Sequence, residues 1–294
     1  MTARRADVPG KSFPSASLAI ASACCLVLLV AGPRMVHEAR ALHDALTQAA
    51  ELFLADSSLA VPPACAAPGR IERVRAETRR VGLAPALLEP LAPSAAGHAQ
   101  TLESESRRAR DTQRLLELCN TVAHLEHERF AARFGFVPAR GIVQRGWLTH
   151  LFVHAGWLHL AMNLFFLLLV GPALEARVGS LRPAGVLLVG GLAAAGAHAI
   201  AFAGSDGPLV GLSGGIAALV ALSALRLGRA RVAPLAWTRL PSASGSIPGW
   251  LPVALWLANE GYHLVVHGTA GGVSYVAHAG GIIVGIAASR WVQA

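Results

Sequence analysis

From Trp147 to the C-terminus the chain is almost continuously apolar, broken only by short gaps, and this leaves it few ways to fold. Five runs read as helices, at about 148–171, 184–203, 210–226, 250–266 and 274–292. Over the whole chain 54% of residues are apolar and 14% charged, where a soluble domain carries about 45–50% and about 25%. Backbone polar groups in lipid must be satisfied within the segment itself, which helices do and irregular chain does not. The expected fold class is therefore all-α, a polytopic membrane helical bundle.

The charge, formally +8, is informative only when divided along the chain. Arg177 and Arg182 sit in the gap at 174–183, Arg229, Arg231 and Arg239 in the gap at 227–249, and Arg290 near the end. The gaps at 204–209 and 267–273 hold no Arg, so Arg-bearing and Arg-free segments alternate. Cytoplasmic loops carry the excess of cations, which puts each Arg-bearing gap in the cytosol. A nucleic-acid binder gathers its cations on one face or helix; here they are dispersed, so the expected surroundings are a lipid bilayer and not a nucleic acid.

Ahead of this core, Arg4, Arg5 and Lys11 precede the apolar run Ser17–Val30. The run is short for a spanning helix, which needs roughly 17–25 residues, so a retained helix and a cleaved signal both stand. In either case the N-terminus is cytosolic and the next segment lies outside. Residues 32–140 carry fourteen Arg against thirteen carboxylates and nearly cancel. A Pro/Ala section at 59–70 is followed by a helical stretch at about 101–134. There Leu115, Leu118, Val122, Leu125 and Ala132 recur at three- and four-residue steps, the mark of an amphipathic hairpin or stalk. The expected regions are 1–32, a cytosolic N-terminus with a first helix; 33–146, a mainly helical extracytosolic insertion; and 147–294, a core of five helices. Both termini are then cytosolic, with six transmembrane helices.

No metal or cofactor is expected. His124, Glu126, His127 and Glu128 read as a solvated charged face, and Cys24, Cys25, Cys65 and Cys119 lack the paired spacing of a zinc site. A Cys65–Cys119 disulfide stays open if the polar stretch is extracytosolic.

Polar residues inside apolar helices are costly and mark function. One cluster is His150, His154, His159 and Asn163, with His159 and Asn163 four apart on one helical face. A second is Gly211-Leu212-Ser213-Gly214, opening a short helix whose free backbone N–H groups suit an anion. The flanking glycines allow close backbone approach. A third is His278 in the last helix, where Gly281 and Gly285 form a small-xxx-small packing face. All three helices run from outside to inside and carry these residues in their first half, so His159, Asn163, Ser213 and His278 share one depth. Ser with His supplies a nucleophile and base. No carboxylate accompanies them, as Asp206 and Glu260 lie in a loop and another helix, so a Ser-His dyad is expected rather than a triad.

In these motifs the chain resembles the rhomboid intramembrane serine proteases. The matching features are HxxxxHxxxN (His154, His159, Asn163), GLSG around Ser213 and AHxxGxxxG from Ala277, with Leu174-Glu175-Ala-Arg177-Val-Gly179 and Phe136-Val137-Pro138 as further echoes. The resemblance implies a rhomboid-like six-helix bundle with Ser213 as nucleophile, His278 as general base, and His159, Asn163 and the Ser213 and Leu212 amides as oxyanion donors. It places His154 and His150 on the water-access side. It implies single-span membrane protein substrates, cut near the outer end of their helix and admitted beside the helix at 250–266, and a multi-pass protein of a bacterial inner membrane. Two positions depart from the family pattern. Ala217 stands where a Tyr often stacks on the catalytic His, and Trp147 is followed by Leu148 where Arg is usual, with Arg145 two residues earlier. The alternative reading is a catalytically silent rhomboid-like protein that binds client transmembrane helices. A small transporter lacks the paired inverted half-sites it would need.

Overall fold

The structure, a computed structural model, describes residues 13–56, 59, 98–228, 231–232, 246–267 and 274–292, with side chains placed for most of them. Arg4, Arg5, Lys11, Cys65, Arg229 and Arg239, most of the Pro/Ala section and the gap at 268–273 lie outside the described residues. The chain divides into two compact units, Met1–Gly32 with Ala131–Ala294, and Pro33–Phe130.

In the first unit, α1 (Ser15–Ala55) enters the bundle through its first half. Ser17, Ala21, Cys24, Leu28 and Ala31 are buried, and their alternating steps of four and three residues lie on one stripe of a helix. The leading amides of α1 are capped by a carboxylate from elsewhere in the chain. Glu175, itself buried, accepts Ser17 N–H at 2.8 Å and Ala16 N–H at 3.2 Å, and the Ser17 and Ser180 hydroxyls also donate to it. A carboxylate at a helix N-terminus is favoured by the unpaired N–H groups and the helix dipole.

The remaining helices of this unit are α3 (Trp157–Val178), α4 (Leu181–Ala201), α5 (Ser213–Leu227), α6 (Leu251–His267) and α7 (Tyr275–Ala288). Between α5 and α6, Arg231–Val232 and Ile247–Pro248 form a two-stranded antiparallel ribbon. Helix α5 is the axis of the bundle and is touched by α3, α4, α6 and α7. Ile216 to Val220 and Leu222 are all buried, as expected of a helix apolar on every side. Leu158, Phe165, Val189, Ile200 and Ile283 stay exposed on the outer helices. Such apolar patches are stable in lipid and not in water. Among the described residues α1, α3 and α4 are long and apolar enough to cross a membrane, while α5 and α7 are shorter apolar helices.

In the second unit, the last part of α1 and α2 (His98–Glu128) form a hairpin. Ala49 packs with Leu59, Leu115, Leu118 and Cys119, and Ala45, Leu46 and Ala50 pack with Val122. Cys119 is disulfide-bonded, while Cys24 and Cys25 carry free thiols.

Several boundaries differ from expectation. Instead of ending near Val30, α1 runs on through Pro33. Proline removes one backbone hydrogen bond, but the helix is held by the bundle before it and by the hairpin after it. The helix expected from 148 begins at Trp157, because Gly156 at its N-cap is extended and the preceding residues coil into the turns Gly146–Thr149 and His150–Phe152. The helix expected at 101–134 spans His98–Glu128, with a separate turn at Phe130–Phe134.

Candidate active site

The start of α5 is set by Gly211, whose φ of +113° lies outside the range that L side chains favour. A Cβ at this position would stand 2.8 Å from both Cε1 and Nε2 of His159 and 3.9 Å from Ser213 Oγ. Glycine therefore keeps open the space that separates His159 from the serine. The loop is pinned from behind, Gly211 N–H donating to the His150 carbonyl at 2.9 Å. The buried His150 ring donates from Nδ1 to the Gly146 carbonyl at 2.8 Å. Leu212, also buried, is the N-cap of α5 and offers no side-chain cap. The first amides of α5 thus face the site without a capping partner.

The segment before α3 braces this loop. Phe136 and Leu209 exchange backbone hydrogen bonds of 2.9 and 2.8 Å. Trp147 Nε1 donates to the Ile142 carbonyl at 2.8 Å, and its ring lies 4.6 Å from that of Phe136. Arg145 donates to the Arg133 carbonyl at 2.9 Å and lies over the Phe134 ring. The cation next to Trp147 thus anchors the segment from two residues before it.

Ser213, the first residue of α5, carries its Oγ 2.8 Å from His278 Nε2. His278 lies one turn into α7, whose N-cap Ser274 accepts Ala277 N–H at 3.3 Å and meets His198 Nδ1 of α4 at 2.8 Å. Close contact of α7 with α5 depends on glycine. A Cβ at Gly281 would collide with the Gly214 carbonyl, one at Gly285 with the Ala218 carbonyl, and one at Gly214 with Ala194 of α4. Ala217 is fully buried, 3.4 Å from where a Gly281 Cβ would stand. An aromatic ring at 217 would overpack that contact.

Glu260 lies on another helix, as expected, but contrary to the expectation that no carboxylate accompanies the pair it reaches His278. Glu260 Oε2 of α6 is 2.9 Å from His278 Nδ1, and both side chains are largely buried, 17% and 10% exposed. An ionised carboxylate only accepts, so the neutral ring carries its proton on Nδ1 and offers a bare Nε2 to the Ser213 hydroxyl. One turn before Glu260, the buried Trp256 sets its ring 5.4 Å from His278 and 4.9 Å from Phe166 of α3. Only the intramembrane charge was available in the sequence as a signal for Glu260; the aromatic pattern singles out nothing at Trp256.

On the other side of the serine, His159 Nδ1 accepts the Ala155 N–H at 3.4 Å, leaving the neutral ring's proton on Nε2, beside Gly211. Asn163 lies one turn deeper and is buried, with Nδ2 donating to the His159 carbonyl at 2.8 Å. Its amide is thus partly committed within α3. The His154 ring is buried 5.3 Å from that of His159. Among the described residues no three His, Cys, Asp or Glu side chains converge as a metal site, and His127 and Glu128 form an exposed pair.

The sequence pattern of the Rhomboid domain matches residues 143–293, more than half of the chain. The chain belongs to the rhomboid family. All the site residues of this rhomboid, from His150 to His278, fall inside the match. It is 34% identical over 149 residues to Rhomboid-related protein 3 of Homo sapiens and 32% identical over 149 residues to that of Mus musculus. Each similarity covers 48% of the chain and 34% of the relative, so the rhomboid described here matches about a third of those proteins' length. No solved structure matches. Family and helix composition together make it an integral, multi-pass membrane protein.

Proposed function

We propose that this rhomboid is an intramembrane serine endopeptidase that cuts single-span membrane proteins within or near their transmembrane helix. The observation that carries the reading is the 2.8 Å contact between Ser213 Oγ and His278 Nε2 at an uncapped helix start. In the reaction the Ser213 oxygen attacks the peptide carbonyl carbon as its proton passes to His278 Nε2. The carbonyl oxygen becomes an oxyanion beside the leading amides of α5 and the Nε2–H of His159. Return of the proton from His278 to the departing amine breaks the C–N bond and leaves an acyl-serine. Water, deprotonated by the same nitrogen, releases the new carboxylate and restores the serine. Every proton is carried by residues of the chain, and no cofactor enters.

The proposed orientation puts both termini in the cytosol and the site in the outer half of the bilayer, supported by the alternation of Arg-bearing and Arg-free gaps. Substrate helices are the class of partner that the lipid-facing apolar surface admits.

A fluorophosphonate probe, which reacts only with an activated serine, tests the chemistry on the purified protein. Wild type is expected to label, with Ser213→Ala unlabelled and His278→Ala slowed by more than about 10³-fold. Equal labelling of Ser213→Ala would remove the reading and leave a client-binding protein without activity.

A further inference from the structure

Two carboxylates lie within the helices of the core, and lone charges there are expensive. Glu175 is accounted for by the start of α1, where four donors meet it. Glu260 reaches its partner on a different helix, at the imidazole nitrogen remote from the serine. A buried carboxylate aimed at Nδ1 fixes which nitrogen is bare, holds the ring plane, and steadies the imidazolium that forms when Nε2 takes the serine proton. Trp256 adds an aromatic wall to the same ring from the same face of α6, four residues before Glu260.

We propose that Glu260 is the positioning residue for His278, so that the reacting group is a three-residue Ser213–His278–Glu260 unit whose third member stands on α6. The proposal rests on the protease reading and deepens it. The Nδ1 proton remains on the ring throughout, held in the hydrogen bond to Glu260. Because α6 carries both the carboxylate and the Trp256 ring, the alignment of His278 depends on where α6 stands. Displacing this helix removes both contacts together while leaving Ser213 and its amides in place on α5.

The test uses full-length protein in detergent micelles, with wild type, Glu260→Gln and Glu260→Asp compared in four measurements. Fluorophosphonate labelling and steady-state cleavage of a single-span reporter give the rate, kcat and KM; a thermal melt checks the fold; and ¹⁵N resonances of labelled histidine, assigned by difference from His278→Ala, report which ring nitrogen is protonated. Glu260→Gln, whose amide can itself donate to Nδ1, is expected to lower kcat and labelling about 10²- to 10⁴-fold with KM and melting little changed. Its His278 resonance is expected to lose Nδ1–H character. Glu260→Asp, which keeps the charge on a shorter arm, is expected to recover at least about tenfold of the loss. Labelling of Glu260→Gln within about threefold of wild type, with the Nδ1–H resonance unchanged, would overturn the proposal. If wild type itself fails to label, it is the protease reading that fails, and the histidine resonances still decide what Glu260 does.

Discussion

Gly211 keeps the serine and His159 apart yet facing the same small space, because the missing side chain is the space. Gly211→Ala must place a methyl against the His159 ring at a φ of +113°. It is expected to reduce reporter cleavage by about 10²-fold or more, the cost of a misplacement near 1 Å, and to lower stability by about 1–2 kcal/mol, read by a thermal melt. His159→Ala, which removes a donor beside that space, is expected to lower kcat about 10²- to 10³-fold with a smaller change in KM. Ser213, His159 and His278 stood out in the sequence because each is a polar residue in an apolar run, and their positions within three parallel helices implied one depth. Glu260 is a charge in an apolar run too, yet its pairing with His278 was not legible. A hydrogen bond between α6 and α7 depends on how two antiparallel helices are packed and rotated, and no spacing along the chain encodes that. The engagement of Asn163 with the His159 carbonyl is likewise a choice among rotamers.

Helix–helix contacts convert single glycines into distances between reacting atoms. Gly281→Val forces α7 away from the Gly214 carbonyl, so fluorophosphonate labelling is expected to fall at least about 10²-fold while Ser213 remains untouched. At the other end of the bundle, Glu175→Ala strips the cap from α1 and leaves the Ser17 and Ala16 amides without their acceptor. A melting experiment is expected to show a loss of about 1–3 kcal/mol, with the molecules that stay folded keeping the labelling rate of wild type. The existence of these helices was legible from continuous apolar runs and from the expense of unpaired backbone in lipid. Their ends were less so. Gly156 starts its helix later than apolarity alone suggests, since the turns before it bury His150, Leu151, Val153 and His154 and look like helix in composition. Pro33 has the opposite character, a proline that ordinarily stops a helix but here lies inside one.

For the whole molecule the strongest constraint is the alternation of cationic gaps, which sets the proposed orientation. A C-terminal fusion is expected to be fluorescent with green fluorescent protein and inactive with alkaline phosphatase, and the reverse result would invert every helix in the scheme. The disulfide at Cys119 points the same way, since such bonds persist outside the reducing cytosol. The two-unit division was only partly legible, because the Arg- and Glu-rich segment marks itself by composition, whereas the continuity of α1 from one unit into the other does not. That continuity bears on how the protein is processed. The apolar run that resembles a secretory leader supplies the buried stripe from Ser17 to Ala31 and all the donors that Glu175 receives from α1. Cleavage just behind Ala31 by a signal peptidase would strand a buried carboxylate and open one wall of the bundle. For this chain, maturation by loss of a leader and survival of the folded bundle are incompatible outcomes.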